Sequence, residues 1–197
     1  MGMTVNEIAQ RLREQWLGGK GEITQLPGPA SDATKKFYST HKGTDIGIEA
    51  GTPVLAPSNL EILGEVADNT GYGNRLAAYD PKTDMTYLLS HLSKYGDIKS
   101  GSVPQGTTLA YTGGTPGTAG AGNTTGSHLD IETYKGRYMP NAGVSAPATT
   151  NYNMGDYAKR MMSLAQQQYG NKVVGVASSP EQLQKYLKTG RKIVKLS

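Results

Sequence analysis

The sequence predicts a mainly β fold with short flanking helices at both ends. Of its 197 residues, 26 are glycine and 10 are proline, and only 36% are hydrophobic. This balance suits a turn-rich β protein better than a helical bundle. Short runs with strand composition also alternate with turn signals through the centre of the chain. The two observations together predict one central β domain.

The N-terminal segment, residues 1–36, is predicted as an amphipathic helix followed by a linker. Thr4 and Glu7 form a capping-box pattern, and Gly18 ends the helix. Four apolar side chains share one face: Val5, Ile8, Leu12 and Trp16. This stripe needs a partner, either the main domain or another chain. The next stretch, LPGPASDATKK, has the composition of a linker.

The central segment, residues 37–140, is the predicted β domain. Five runs have strand composition: TPVLAPS, LEILGEVAD, NRLAAYD, MTYLLSHLS and TTLAYTG. The turn sequence DPKTD between two of them predicts a hairpin. The long Gly/Thr/Ala-rich loop before His128 is flexible by composition, and such a loop in a compact domain is more often functional than idle.

The C-terminal segment, residues 141–197, is predicted as a linker and a helical arm. SAPATTNYN has linker composition, and two helices are expected at residues 156–169 and 180–189. Ser179 as N-cap, Pro180 in the first turn and Gly190 as the stop delimit the second helix.

The composition excludes several classes of site and partner. Because the chain has no cysteine, any zinc must be held by His, Asp or Glu. No apolar run approaches the roughly 20 residues of a membrane span, and the start lacks the apolar core of a signal peptide. The net charge of +4 is mild. The basic C-terminal end is read as a solvated helix face, so nucleic acid is not an expected partner.

The three histidines stand in surroundings that suggest chemistry. His41 precedes Asp45 by four residues, with Gly43 permitting a tight turn between them. His91 lies near the end of a predicted strand. His128 begins an alternating pattern.

That pattern, GSHLDIE, places His128, Asp130 and Glu132 on one strand face. Leu129 and Ile131 fall on the opposite face. An imidazole and a carboxylate two residues apart on one strand face have the geometry of metal ligands.

Residues 37–134, about half of the chain, resemble the lysostaphin-type zinc metalloendopeptidases, which cut peptide cross-links of bacterial peptidoglycan. Six colinear segments carry the resemblance: HKGTDIGIEAGTPVLAP, GEV, GYGNRLAAYD, TYLLSHLS, GDIKSGSVPQGTTLAYTGGTPG and TTGSHLDIE. Together they contain every histidine of the chain. The resemblance implies an antiparallel β-sheet with a groove crossed by loops.

The resemblance also implies a role for each site residue. His41 and Asp45 correspond to the first two zinc ligands. His91 and His128 correspond to non-ligand histidines that assist catalysis, His128 being the first histidine of a His-x-His motif. The second histidine of that motif, the third zinc ligand, is replaced here by Asp130.

A carboxylate is an accepted zinc ligand, so Asp130 is predicted as the third ligand. Two carboxylates and one imidazole neutralise a divalent cation, which makes it a poorer Lewis acid, and they weaken selectivity for zinc. The expected cofactor is Zn²⁺, with Mn²⁺ or another divalent cation as alternatives, and none if the site is degenerate.

The predicted function is a metal-dependent peptidoglycan endopeptidase associated with a phage tail. The alternative is a catalytically inactive structural or wall-binding module of a tail or hub assembly. Expected partners are peptidoglycan, phage tail proteins and further copies of the chain through the terminal helices. The expected location is the virion or the bacterial cell wall.

Overall fold

The computed structural model describes residues 4–98 and 100–139, and the predicted C-terminal linker and helices lie outside this part. The described part contains one helix, α1 (Val5–Leu17), and twelve strands. The strands are β1 (Glu22–Gln25), β2 (Gly28–Pro29), β3 (Thr40–His41), β4 (Thr44–Gly47), β5 (Pro53–Leu55), β6 (Leu60–Val66), β7 (Arg75–Asp80), β8 (Met85–Ser90), β9 (Leu92–Tyr95), β10 (Gly101–Val103), β11 (Thr108–Thr112) and β12 (His128–Lys135). The mainly β prediction is confirmed.

The strands form one large sheet and two small ones. The large sheet has seven strands in the order β1-β4-β12-β8-β7-β6-β10, and β5-β11-β9 form a three-stranded sheet. Each of these neighbouring pairs is antiparallel. Strands β7 and β8 are joined at DPKTD, so the predicted hairpin is confirmed. Strands β2 and β3 form the third, two-stranded sheet.

Helix α1 packs into the core of the β domain. Thr4 caps it, the reciprocal bonds of a capping box with Glu7 are present, and Gly18 ends it in the left-handed region, as predicted. Of its apolar stripe, Ile8, Leu12 and Trp16 are fully buried and Val5 is 40% exposed, and the Trp16 ring lies 5.0 Å from the ring of Tyr87. The stripe therefore finds its partner within its own chain.

Strand β12 separates the core from the site. Leu129 and Ile131 point into the main core, between the large sheet, the three-stranded sheet and α1. His128, Asp130 and Glu132 line a cleft on the opposite face, as the alternation predicted. Within the described residues, no helix combines the length and the apolar character of a bilayer span.

Candidate metal centre

Three side chains converge at the floor of the cleft. One ligand atom from each of His41, Asp45 and Asp130 lies within 4.8 Å of those of the other two, and all three residues are buried. His41 Nε2 is 3.1 Å from Asp45 Oδ1 and 3.7 Å from Asp130 Oδ1. An imidazole nitrogen and two carboxylate oxygens at this spacing form a donor set able to hold a divalent cation.

The sheet register brings the two carboxylates together. Strand β12 pairs with β4 so that Asp130 is the direct partner of Asp45. Like charges directly opposite each other destabilise a sheet by about 0.2–1 kcal/mol, more when they are buried. In the described part of the chain, Oδ1 of either residue is buried and accepts no well-directed hydrogen bond. Two orphan acceptors beside an imidazole are the groups that a bound cation would satisfy.

The pKa values of both Asp130 and His41 are raised in this cluster of acidic groups. Burial, followed by the charges of Asp45 and Glu132, raises the pKa of Asp130 well above its ordinary value. Burial acts to lower the pKa of His41, but Asp45, the Leu26 carbonyl and the charge of Glu132 together outweigh it, so the pKa is raised. Perturbed groups in a cleft are typical of functional sites.

Gly43 leaves the space that Asp130 occupies. A Cβ atom built at this position would lie 1.9 Å from Asp130 Oδ1 and 3.1 Å from Glu132 Cγ. The turn between His41 and Asp45 therefore needs glycine for close approach to the neighbouring strand. From the sequence, Gly43 was predicted only to permit a tight turn, and its contact with Asp130 was not predicted.

We expect Gly43→Ala to weaken metal binding about 10- to 100-fold, because the added methyl group displaces the Asp130 carboxylate. The unfolding free energy should also fall by about 1–3 kcal/mol, as for overpacking elsewhere. Zn²⁺ and Mn²⁺ titration calorimetry and thermal unfolding measure the two effects. Gly126→Ala is the matched control, since a Cβ atom there meets nothing within 4 Å. Equal metal affinity in the two variants would contradict the assignment.

All three histidines hold the same ring tautomer. Nδ1 of His41, His91 and His128 lies 3.2, 2.7 and 2.8 Å from a backbone carbonyl oxygen, respectively. A carbonyl oxygen only accepts, so Nδ1 carries the hydrogen in each ring. In the neutral form of each ring, Nε2 then carries the lone pair that a metal ligand or a proton acceptor requires.

His91 and His128 stand beside the three-residue donor set. Their ring centroids are 4.5 Å apart, and His128 Nε2 lies 3.8 Å from Asp45 Oδ1. Burial and the neighbouring His128 lower the pKa of His91 to about 4. His91 is therefore neutral at physiological pH. The structure brings all five predicted site residues together in one cleft.

The cleft encloses about 400 Å³ and has two dissimilar walls. Residues 31–42 form one wall, where the Tyr38 ring stacks on His41 at 5.6 Å. Residues 123–128, which include three hydroxyl side chains, form the other wall. The first wall includes three residues of the stretch that composition marked as a linker: Ser31, Ala33 and Thr34. The aromatic pair that directly follows this stretch, Phe37 and Tyr38, was the available signal that it contributes to a site.

Glu132 is a third buried carboxylate behind the donor set. The hydroxyl groups of Tyr134 and Tyr72 donate hydrogen bonds to it. Burial, followed by the charges of Glu132 and Asp130, raises the pKa of Tyr72, so this hydroxyl stays a donor. Glu132 was correctly predicted to share a strand face with His128 and Asp130, but no role was predicted for it.

The glycine-rich loop before His128 is tied to the loop at residues 67–74. Backbone N–H groups of Gly120 and Asn123 donate to Asn69 Oδ1 and Gly71 O, at 2.8 and 2.7 Å. The loop was predicted to be flexible from its composition, but in the structure it is held by these hydrogen bonds. The expectation that it is a functional loop agrees with its place beside His91.

Comparisons with known proteins identify the family of the chain. The family model described as peptidase family M23 matches residues 39–142 of the 197-residue chain. A search of curated proteins finds no significant match.

Solved structures of lysostaphin from Staphylococcus simulans share the fold. The catalytic domain is 23% identical with a TM-score of 0.55, and the match covers 74% of this chain and 96% of that one. A second structure, of the antimicrobial peptidase lysostaphin, is 21% identical with a TM-score of 0.54, and the match covers 87% of this chain and 58% of that one. The family model spans more than half of the chain, including every histidine. The chain therefore belongs to peptidase family M23 and is a hydrolase of peptide bonds.

Proposed function

We propose that the chain is a divalent-metal-dependent endopeptidase that cuts peptide cross-links of bacterial peptidoglycan. In this proposal His41, Asp45 and Asp130 hold the metal. The observation that carries it is the convergence of one imidazole nitrogen and two orphan carboxylate oxygens on a buried cleft floor. Membership of family M23 supports the peptidase class. The resemblance to the lysostaphin-type enzymes supports the substrate.

The donor set fits more than one cation. One nitrogen and two carboxylate oxygens suit Zn²⁺ and also harder ions such as Mn²⁺. When bound, such a cation supplies Lewis-acid polarisation of the scissile carbonyl and acidifies a bound water. The second carboxylate, Asp130, neutralises more of its charge than an imidazole would, so we propose a site of reduced acidity and reduced zinc selectivity.

His91 and His128 are the proposed catalytic residues. Nδ1 of each ring donates to a backbone carbonyl, so Nε2 is the ring nitrogen available for proton transfer. The neutral His91 ring can accept a proton from the attacking water at physiological pH. The paired imidazoles orient that water, move its proton and stabilise the tetrahedral oxyanion.

The test is release of new amino termini from purified peptidoglycan. The protein is stripped with a chelator and assayed alone, with Zn²⁺ and with Mn²⁺, and lysostaphin serves as the active control. We expect release only after metal is restored. No release with any divalent cation, while the control is active, would contradict the proposal. Retention on cell walls without release would instead support the wall-binding alternative.

Association with a phage tail remains a prediction. An apolar helix stripe without a partner would favour such an assembly, but the stripe of α1 packs inside its own domain. The replacement of a ligand histidine by Asp130 is the remaining described feature in its favour. Sedimentation of the full chain tests self-association, and a concentration-independent monomer would count against an assembly role.

A further inference from the structure

The His91 backbone adopts a conformation that few non-glycine residues take. Its φ angle is +59°, in the left-handed region, and Asp84 is the only other non-glycine residue of the described chain with positive φ. Histidine is among the residues that enter this region more readily, yet it remains uncommon there. Such conformations persist where the surroundings over-determine them, and they cluster at functional sites.

Two neighbouring loops hold His91 in place. Its backbone N–H donates to Tyr72 O at 2.9 Å, and its ring Nδ1 donates to Ala121 O at 2.7 Å. Tyr72 belongs to the loop at residues 67–74 and Ala121 to the loop before β12. The backbone and the ring of His91 are therefore each held by a different loop.

Asn74 connects both loops to the residue after His91. Its backbone N–H donates to Gly120 O at 2.8 Å, one residue before Ala121. Its backbone carbonyl accepts from the Leu92 N–H at 3.1 Å, and its side-chain Nδ2 donates to Leu92 O at 3.1 Å. Its Oδ1 accepts from the Asp68 N–H at 3.2 Å. Both ends of the side-chain amide are thus in use.

The atoms around Asn74 are so closely packed that there is no room for a side chain at Gly73 or Gly120. A Cβ atom at Gly120 would lie 2.0 Å from Asn74 Nδ2, and one at Gly73 would lie 2.1 Å from Gly120 O. The two glycines therefore let the loops approach to backbone contact. A change in the Asn74 side chain would be transmitted to both His91 contacts.

We propose that Asn74 is a positioning residue, whose side-chain amide fixes the His91 ring with Nδ1–H on Ala121 O and Nε2 toward the metal centre. The inference deepens the proposed function, because it concerns how a catalytic imidazole of that same site is oriented. It assigns a role to an amide that touches neither the metal ligands nor the substrate.

The test is Asn74→Ala, which removes the side-chain bonds and keeps the backbone ones. We expect kcat on peptidoglycan fragments to fall about 10- to 100-fold, with KM and bound Zn²⁺ unchanged, because misplacement by about 1 Å costs this much. ¹⁵N-resolved NMR of the histidine rings, assigned with His91→Asn, gives a readout independent of activity. The wild type should show Nδ1-protonated His91 and the variant a mixture of tautomers.

Asn69→Ala is the matched control. It removes a hydrogen bond between the same two loops, on the N–H of Gly120, but touches neither His91 nor Leu92. We expect its kcat and its His91 spectrum to match the wild type. Equal losses in both variants would overturn the inference, because the side chain would then act only as a loop tether.

The wild-type spectrum still tests the predicted His91 tautomer if Asn74→Ala does not fold. A wild-type His91 ring protonated at Nε2 overturns the inference directly. An inactive protein in which the His91 tautomer is lost in Asn74→Ala but kept in Asn69→Ala contradicts the proposed function and supports the positioning role of Asn74, so the two failures are distinguishable.

Discussion

Asp130→Ala should lower the affinity for Zn²⁺ and Mn²⁺ by more than about 100-fold, since loss of even an outer-shell partner of a metal ligand costs about 10- to 100-fold. Activity should fall with it. The physical reason is that Asp130 supplies one of only two carboxylate oxygens in the donor set. Metal analysis of protein purified at defined metal concentration, together with calorimetric titration, measures the loss. Asp32→Ala is the control, because that side chain is 99% exposed.

Asp130→Asn separates the ligand role from a structural one. The amide has nearly the same size but carries no charge, and it can donate a hydrogen bond to Asp45. We therefore expect metal-free Asp130→Asn to be more stable than the metal-free wild type by about 0.2–1 kcal/mol, the size of a removed like-charge pair. It should still fail to bind metal. Wild-type affinity in either Asp130 variant would remove this residue from the site.

His91→Asn should lower kcat by about 10²- to 10⁴-fold, the usual contribution of a positioned general acid or base. Bound metal should stay at the wild-type level, because His91 is not in the donor set. Asparagine is chosen over alanine because it tolerates the left-handed backbone at this position. The measurement is single-turnover hydrolysis of a peptidoglycan fragment with metal content determined on the same sample.

The companion variant His128→Asn should show the same fall in kcat with bound metal unchanged, since the two rings are in contact. The double variant should cost little more than either single one if the imidazoles act as a unit. Loss of metal in His91→Asn would mean that the ring supports the ligands rather than the reaction. Unchanged kcat in both single variants would contradict the catalytic assignment.

Features that depend on neighbouring residues were predictable from the sequence. The capping box of Thr4 and Glu7, the stop at Gly18 and the alternation of β12 are all local patterns, and the structure has them. The gathering of His41, His91 and Asp130 was implied by the family resemblance rather than by spacing. Cross-strand pairing decides that gathering, and pairing partners are far apart in sequence.

Several features of the site could not be found this way. Composition marked residues 26–36 as a linker, yet β2 and part of one cleft wall come from this stretch. Glycine and proline signal irregular backbone but do not say what it packs against. The steric need at Gly43 arises from Asp130 on a neighbouring strand, and the left-handed backbone of His91 is set by two loops. Both are products of tertiary contacts.

The most direct test is a crystal structure of the full chain grown with Zn²⁺, and separately with Mn²⁺, with anomalous difference maps at each metal edge. The account predicts one strong peak at about 2.0–2.2 Å from His41 Nε2 and from a carboxylate oxygen of both Asp45 and Asp130. A peak held by His91 and His128 instead, or no peak in the cleft at saturating metal, would contradict it.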